Sequence, residues 1–326
     1  MIYLDDYAIS LDRRERDSDI DFISHAHSDH TAAAKSSKNV IASHETARLL
    51  KAINGVELKM CREQMEGVRL LDSGHMLGSK QIRIEGDGET LTYTGDFMVQ
   101  RSLSCSPIQM LESDTLIMDS TYCSPEISFD NRSEVEASLQ KWTSRKLDSG
   151  IVLFGVHAAG KAQEIVKALN GAGITPAVSK KVSAINRVYN DSGANLNYVS
   201  AYEEGSDYEA VVRGNFVGVV ESHRLDDLAA MLSKANGKRV YRAVATGFAK
   251  IFRFNTDVQF PLSDHADFSQ SVYYIEASNP KRVLTYGSNS EVFAANLSKM
   301  GYSAEPFRSE VGQRYRIMQG SSANLQ

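Results

Sequence analysis

Residues 20–30 read IDFISHAHSDH, an apolar run that ends in a six-residue string with four potential metal ligands, His25, His27, Asp29 and His30. The apolar part predicts a short buried strand. Neutral imidazoles and carboxylates suit zinc, and donors gathered at a strand end can turn toward one point without burying unpaired polar groups. A lone histidine in such a loop is ordinarily a solvated side chain. Three histidines and an aspartate at H-x-H-x-D-H spacing are poorly explained that way. Two later segments extend the pattern: His75 in DSGHMLGS (72–79) and Asp96 in YTGDF (93–97), each closing a predicted strand beside glycine. His44, His157 and His223 have no ligand-spaced neighbour and are assigned no metal role.

Around this constellation, residues 1–121 alternate short apolar runs with turns (MIYL, NVIAS, GVRLLDSG, QIRIEG, TLTYTGD, DTLIMDS), and read as strands with one helix at HETARLLKAI. The D-G pair inside IRIEGDGETLTY predicts a hairpin. After Asp119 the rhythm changes. A helix through NRSEVEASLQKWTSRKL, with Val135, Leu139 and Trp142 on one face, is followed by the strand GIVLFGV and the helix GKAQEIVKALN. The alternation continues with VSAINRVYN, FVGVVES, LDDLAAMLSKA and RVYRAVATG, which suggests a parallel-type α/β module. Strand and turn chemistry returns near QFPLSDHADF and RVLTYGS, and the polar tail QGSSANLQ (319–326) is expected to be mobile. The expected division is 1–121, 122–255 and 256–326, the middle part being an insertion into a domain formed by the other two.

A length of 326 residues, 42% hydrophobic and 24% charged, describes an ordinary globular protein. No stretch approaches the roughly 18 apolar residues of a spanning helix, and the N-terminus lacks a signal-peptide pattern, so a cytoplasmic protein without a membrane partner is expected. Cys61, Cys105 and Cys123 have no C-x-x-C spacing and read as ordinary reduced thiols. The net charge of −5 is uneven: residues 122–255 hold 17 Lys and Arg against 14 Asp and Glu, which makes this segment the better polyanion partner.

In the order HAHSDH, DSGHMLGS and YTGDF, the sequence resembles the metallo-β-lactamase superfamily. The resemblance implies an α/β fold, an αββα sandwich in which His25, His27 and His75 hold a first zinc, Asp29 and His30 help to hold a second, and Asp96 bridges them. DSTYCSP (119–125), GKAQE (160–164) and SDHADFSQ (263–270) resemble the β-CASP subgroup, whose members are nucleases with an α/β domain inserted into the metal domain. By this resemblance Asp29, Asp119 and His265 are catalytic, with His265 as the general acid and Asp119 orienting it. Gly160, Lys161 and Ser263 are the implied substrate contacts. GKAQ, ATGF and SDHADF are further similar to the short, ligase-associated bacterial DNA exonuclease group and to archaeal mRNA 3′-end-processing-like relatives.

The implied activity is zinc-dependent hydrolysis of single-stranded RNA or DNA, exo- or endonucleolytic, in RNA processing or DNA repair; the oligomeric state is left open. One position departs from the pattern. Where RNA-processing members of the subgroup have a zinc-ligating histidine before glycine, VLTYGSNS (283–290) carries Tyr286. A phenol with an ordinary pKa near 10 is a poor ligand at pH 7. One tight zinc and a weaker second site, open to manganese, are therefore expected. A lactamase- or glyoxalase-like small-molecule hydrolase fits HAHSDH equally well but leaves the insertion, GKAQE and SDHADF without a purpose. An inactive nucleic-acid-binding scaffold is the other alternative.

Overall fold

The computed structural model describes residues 2–4, 7–86, 88–307 and 315–317; the polar tail at 319–326 lies outside them. The chain divides into two compact units. The first joins Met1–Arg101, Ser106–Ser128 and His265–Gln326, and the second joins Ser102–Cys105 to Phe129–Asp264. The inserted unit thus runs from 129 to 264, where the change of rhythm alone suggested 122 to 255.

The first unit is the αββα sandwich. One six-stranded sheet has the order Tyr315–Ile317, Ile2–Leu4, Tyr7–Leu11, Ile20–Phe22, Val40–Ile41, Cys61–Arg62. The other runs Ala304–Pro306, Arg282–Tyr286, Thr115–Asp119, Glu89–Tyr93, Lys80–Gly86, Val68–Asp72. Lys80–Gly86 and Glu89–Tyr93 form the expected hairpin, with Gly86 opposite Glu89.

Alternation along the central strand explains the layers. Ile117 joins a core shared by both sheets, with Ile9, Phe22, Ile41, Ile82, Ile84 and Leu284. Its neighbours Leu116 and Met118 point the other way, into a core with Tyr274, Ile275, Phe293 and Leu297 from helices Phe268–Ser278 and Ser290–Lys299. A strand covered on both faces needs the near-continuous apolar run that TLIMD provides. Each such side chain, fully buried, contributes roughly 1.5–3 kcal/mol.

The second unit carries a five-stranded parallel sheet, ordered Ala177–Val178, Val217–Glu221, Ile151–Val156, Val240–Ala245, Val258–Phe260. All six residues of its middle strand IVLFGV are buried. The helices anticipated around it are present at Arg132–Leu147, Lys161–Gly171, Lys180–Asp191 and Leu225–Asn236. Asn131 caps the first of these by accepting from Ser133 N, and Trp142 packs edge-on against Phe154, Tyr241 and Phe260.

Candidate metal centre

The strand Ile20–Phe22 ends against the sandwich core through Phe22, and the chain then turns through a single 3-10 turn, Ser28–His30. This brings His25, His27 and His30 round one centre. The ring centroids of His25 lie 4.7 Å from His27, 4.2 Å from His30 and 4.7 Å from His75. His75 arrives on a tight loop whose Ser79 hydroxyl accepts from the backbone N–H groups of His75 (3.2 Å) and Met76 (3.1 Å). Ser73 ties that loop to the next ligand by donating to Asp96 O at 2.9 Å.

Asp96 is the focus. Its Oδ2 atom lies 3.5 Å from His25 Nε2, 3.4 Å from His30 Nε2, 3.7 Å from His75 Nε2 and 3.8 Å from His265 Nε2. Donor atoms of His25, His27, His75 and Asp96 all fall within 4.8 Å of one another, as do those of Asp96, Asp119 and His265. Asp29 stands at the rim, its side chain 77% exposed and its Oδ2 3.7 Å from His30 Nε2.

The residues fit a divalent cation. Ser24 has one hydroxyl proton, which it gives to Asp12 Oδ2 at 2.6 Å, so the 2.9 Å contact between Ser24 Oγ and His25 Nδ1 must use the proton of His25. That tautomer leaves a lone pair on His25 Nε2, an atom that is buried and makes no hydrogen bond. Burial, followed by the neighbouring His30, holds the pKa of His25 well below its ordinary value, so the ring is neutral as a ligand must be. Burial also opposes charge on His30, but Asp12 and Asp96 push its pKa up to about 12. Asp96 is held well below the usual carboxylate range, against its own burial, by His265 and His30. These directions describe a site that demands positive charge opposite Asp96.

Asp12 is the residue that sequence reasoning missed. Its Oδ2 accepts from His30 Nδ1 (2.7 Å), Ser24 Oγ (2.6 Å) and Tyr93 Oη (2.8 Å), while Oδ1 accepts from Ser24 N (2.6 Å). It fixes the orientation of His30 and, through Ser24, that of His25. The available signal was an aspartate closing the apolar strand YAISL, beside the strand that leads to HAHSDH.

His265 sits beside the cluster with its Nδ1 2.8 Å from Asp119 Oδ2. Asp119 is itself fixed, because its Oδ1 accepts from Thr121 N at 2.9 Å and Thr121 Oγ1 at 2.7 Å. Tyr286 is partly buried, with its hydroxyl oxygen shielded and its ring tilted against Tyr93 at 5.2 Å between centroids. Burial, then Tyr93, Asp96 and Asp119, raise the pKa of its phenol well above the ordinary value. It is a neutral side chain at the back of the cluster.

Gly160, Lys161 and Ser263 belong to the second unit. Lys161, expected to meet phosphate, is buried and its ammonium is held by Glu164 Oε2 at 2.7 Å and by Asp264. Arg132 completes the group, pairing with Glu164 and donating to Ser263 O at 2.5 Å. Gly160 precedes the helix at φ +87° and donates to Gln163 Oε1 at 2.7 Å.

Among the described residues no helix is long and apolar enough to cross a membrane. No protein-family model matches the chain. It is 32% identical over 300 residues to a probable DNA ligase of Opitutus terrae, an alignment covering 87% of this chain and 28% of the ligase. It is 31% identical over 178 residues to an RNase J-like protein of Methanocaldococcus jannaschii, covering 45% of this chain and 42% of that protein. With the 5′ exonuclease Apollo of Gallus gallus it shares 31% identity over 167 residues, 47% of this chain and 36% of the exonuclease. The chain spans less than half the length of each of these relatives. With its split sandwich, its inserted parallel α/β unit, its cluster of candidate metal ligands and these relatives, the chain belongs to the metallo-β-lactamase superfamily, in the β-CASP subgroup.

Proposed function

We propose that the chain is a zinc-dependent nuclease that hydrolyses phosphodiester bonds in single-stranded DNA, as part of DNA-end processing. The observation that carries this reading is the His265–Asp119 pair beside the Asp96 focus, an acid and its orienter set against a cluster suited to a metal. DNA is preferred to RNA because the relative aligned over 87% of the chain is named a probable DNA ligase.

In this reading His25, His27, His75 and Asp96 would hold a first ion, and His30, Asp29 and Asp96 would supply the donors for a second. Bound metal supplies Lewis-acid polarisation of a phosphoryl oxygen and activation of water at neutral pH. The departing sugar oxygen is a poor leaving group as an alkoxide and requires a proton. His265 supplies it from Nε2, because Asp119 occupies Nδ1 and keeps the ring turned. The carboxylates Glu164, Asp264 and Glu136 around Lys161 and Arg132 disfavour a direct phosphate contact there. Lys161 and Arg132 instead brace the Ser263–Asp264 segment that immediately precedes His265 in sequence.

Matched end-labelled single-stranded DNA and RNA, incubated with zinc or manganese and with chelator, test the proposal at nucleotide resolution. Chelator-sensitive shortening of DNA is expected; hydrolysis of lactams or thioesters without any cleavage of oligonucleotides would refute it. His265→Ala should lower kcat by roughly 10²-fold or more on DNA and hurt a nitrophenyl phosphodiester far less, since that leaving group needs little protonation. Equal losses on both substrates would assign His265 a structural role.

A further inference from the structure

The segment TGFAKIFRFN, residues 246–255 of the second unit, has no part in the metal cluster and presents an unusual surface. Phe248 is 43% exposed, Phe252 56% and Phe254 37%, and Ile251 among them is 45% exposed. No other phenylalanine among the described residues is as exposed, so the three outward-facing rings of this type fall within one short stretch. Large apolar side chains concentrated at the surface mark a binding site more often than chance.

The backbone beneath them is pinned. Thr246 Oγ1 accepts from Phe248 N at 3.3 Å, and the backbone N–H groups of Ile251 and Phe252 both donate to Phe248 O, at 2.9 and 2.8 Å. The side chain of Gln259 holds three points at once: its Nε2 donates to Ala249 O (2.7 Å) and Phe252 O (2.9 Å), and its Oε1 accepts from Phe254 N (3.0 Å). The rings are therefore displayed by an ordered loop. Phe248 and Phe252 lie 5.9 Å apart with their planes 35° from parallel.

Charge selects the occupant. The stretch contains two cations, Lys250 and Arg253, and no acid. Lys250 is paired with Asp130 at 3.1 Å, whereas Arg253, set between Phe252 and Phe254 in sequence, is exposed and has no ion-pair partner among the described residues. Phenylalanine and arginine are also enriched at protein–protein interfaces, so a second copy of the chain is the competing occupant. Aromatic rings interleaved with a free guanidinium suit single-stranded nucleic acid, because every base offers a face to stack on and the cation meets the backbone.

We propose that residues 248–254 form a stacking platform for the bases of single-stranded nucleic acid, with Phe248 and Phe252 carrying the bases and Arg253 a phosphate. The platform rests on the nuclease reading above and names a strand-gripping site outside the candidate metal ligands. The test compares the zinc-loaded native chain with Phe248→Ala/Phe252→Ala on oligothymidylate and on a nitrophenyl phosphodiester that carries no strand. The double variant should raise KM for the oligonucleotide roughly tenfold or more, leaving turnover of the small ester and zinc content unchanged. Phe252→Trp keeps a ring and should leave KM near the native value, and Arg253→Ala should weaken the salt dependence of binding.

An unchanged KM in the double variant of a chain that cuts DNA would overturn the platform while leaving the nuclease reading intact. So would conversion of a native dimer to monomer with KM unaltered, which would assign the face to a second copy, or an equal loss in Phe252→Trp, which would make the ring a packing element. A native chain that neither binds nor cuts nucleic acid would remove the nuclease reading, and the platform with it.

Discussion

The carboxylate of Asp12 accepts hydrogen bonds from His30, Ser24 and Tyr93 at once, and the residue holds φ at +54°, a left-handed conformation that aspartate and asparagine tolerate better than most side chains. Asp12→Asn keeps that backbone and the volume but turns one acceptor oxygen into a donor facing groups that already donate. Zinc affinity is expected to fall roughly 10–100-fold, read by competition with a chromogenic chelator, with circular dichroism unchanged; native affinity in the variant would show that Asp12 does not orient the ligands. Tyr286 sets a second expectation. Its phenol holds its proton in a buried position beside Asp96 and Asp119, so it does not substitute for an imidazole. The purified chain should retain closer to one zinc than two, and Tyr286→His should retain more; two zincs held against mild chelation by the native chain would refute this. His25, His27, His75 and Asp96 were legible in the sequence because rare ligand types recur at strand ends. Asp12 was not, because a single aspartate after an apolar run is chemically ordinary until the fold brings His30 to it.

At the scale of elements, the two glycines that precede His75 and Asp96 decide whether those side chains reach the cluster. Gly74 has φ +81°, and a Cβ there would stand 2.5 Å from Met98 O and 2.7 Å from Ile108 N, both backbone atoms that cannot swing aside. Gly95, at φ +56°, would meet the Ser24 side chain at 2.7 Å. Gly74→Ala is expected to destabilise the fold by more than the roughly 1–2 kcal/mol of left-handed strain alone and to lower zinc retention. Gly237→Ala, at φ +63° with nothing within 4 Å, should cost only that strain. Equal midpoint shifts in urea for the two variants would contradict the steric account. The glycine-flanked candidate ligands were readable from DSGHMLGS and YTGDF, and the D-G hairpin and the helices of the second unit from their patterns. The helix Phe268–Ser278 was not read, because SVYYI has the β-branched and aromatic character of a strand. Its signal lay in the cap: Asp267 accepts from Gln270 N at 3.0 Å, and the Gln270 side chain returns to Asp267 N at 3.4 Å.

Across the whole molecule, the first unit is assembled from three stretches of chain, so Asp119 and His265 meet although 146 residues separate them. The change from strand-rich to alternating rhythm falls near the start of the long stretch of the second unit. Its edges were harder to read because residues 122–128 and 256–264 lack strong periodicity, and their membership is decided by contacts such as Cys123 with Ser271 in the first unit and Arg132 with Ser263 in the second. The division has a thermodynamic consequence. All the candidate metal ligands lie in the first unit, whereas Trp142, the only tryptophan of the chain, lies in the second among Phe154, Tyr241 and Phe260. An ion that binds only the folded state stabilises it by about 4 kcal/mol at a thousandfold excess over its Kd, enough to move a melting transition on the order of 10 °C. Removing metal should therefore lower the transition of the first unit, seen by far-ultraviolet circular dichroism, and leave the transition reported by Trp142 emission near its original temperature. The two probes, coincident or nearly so in the loaded protein, should separate on chelation. A common downward shift of both would mean that the units melt as one, and no shift in either would mean that the cluster of His25, His27, His75 and Asp96 contributes no metal-linked stability.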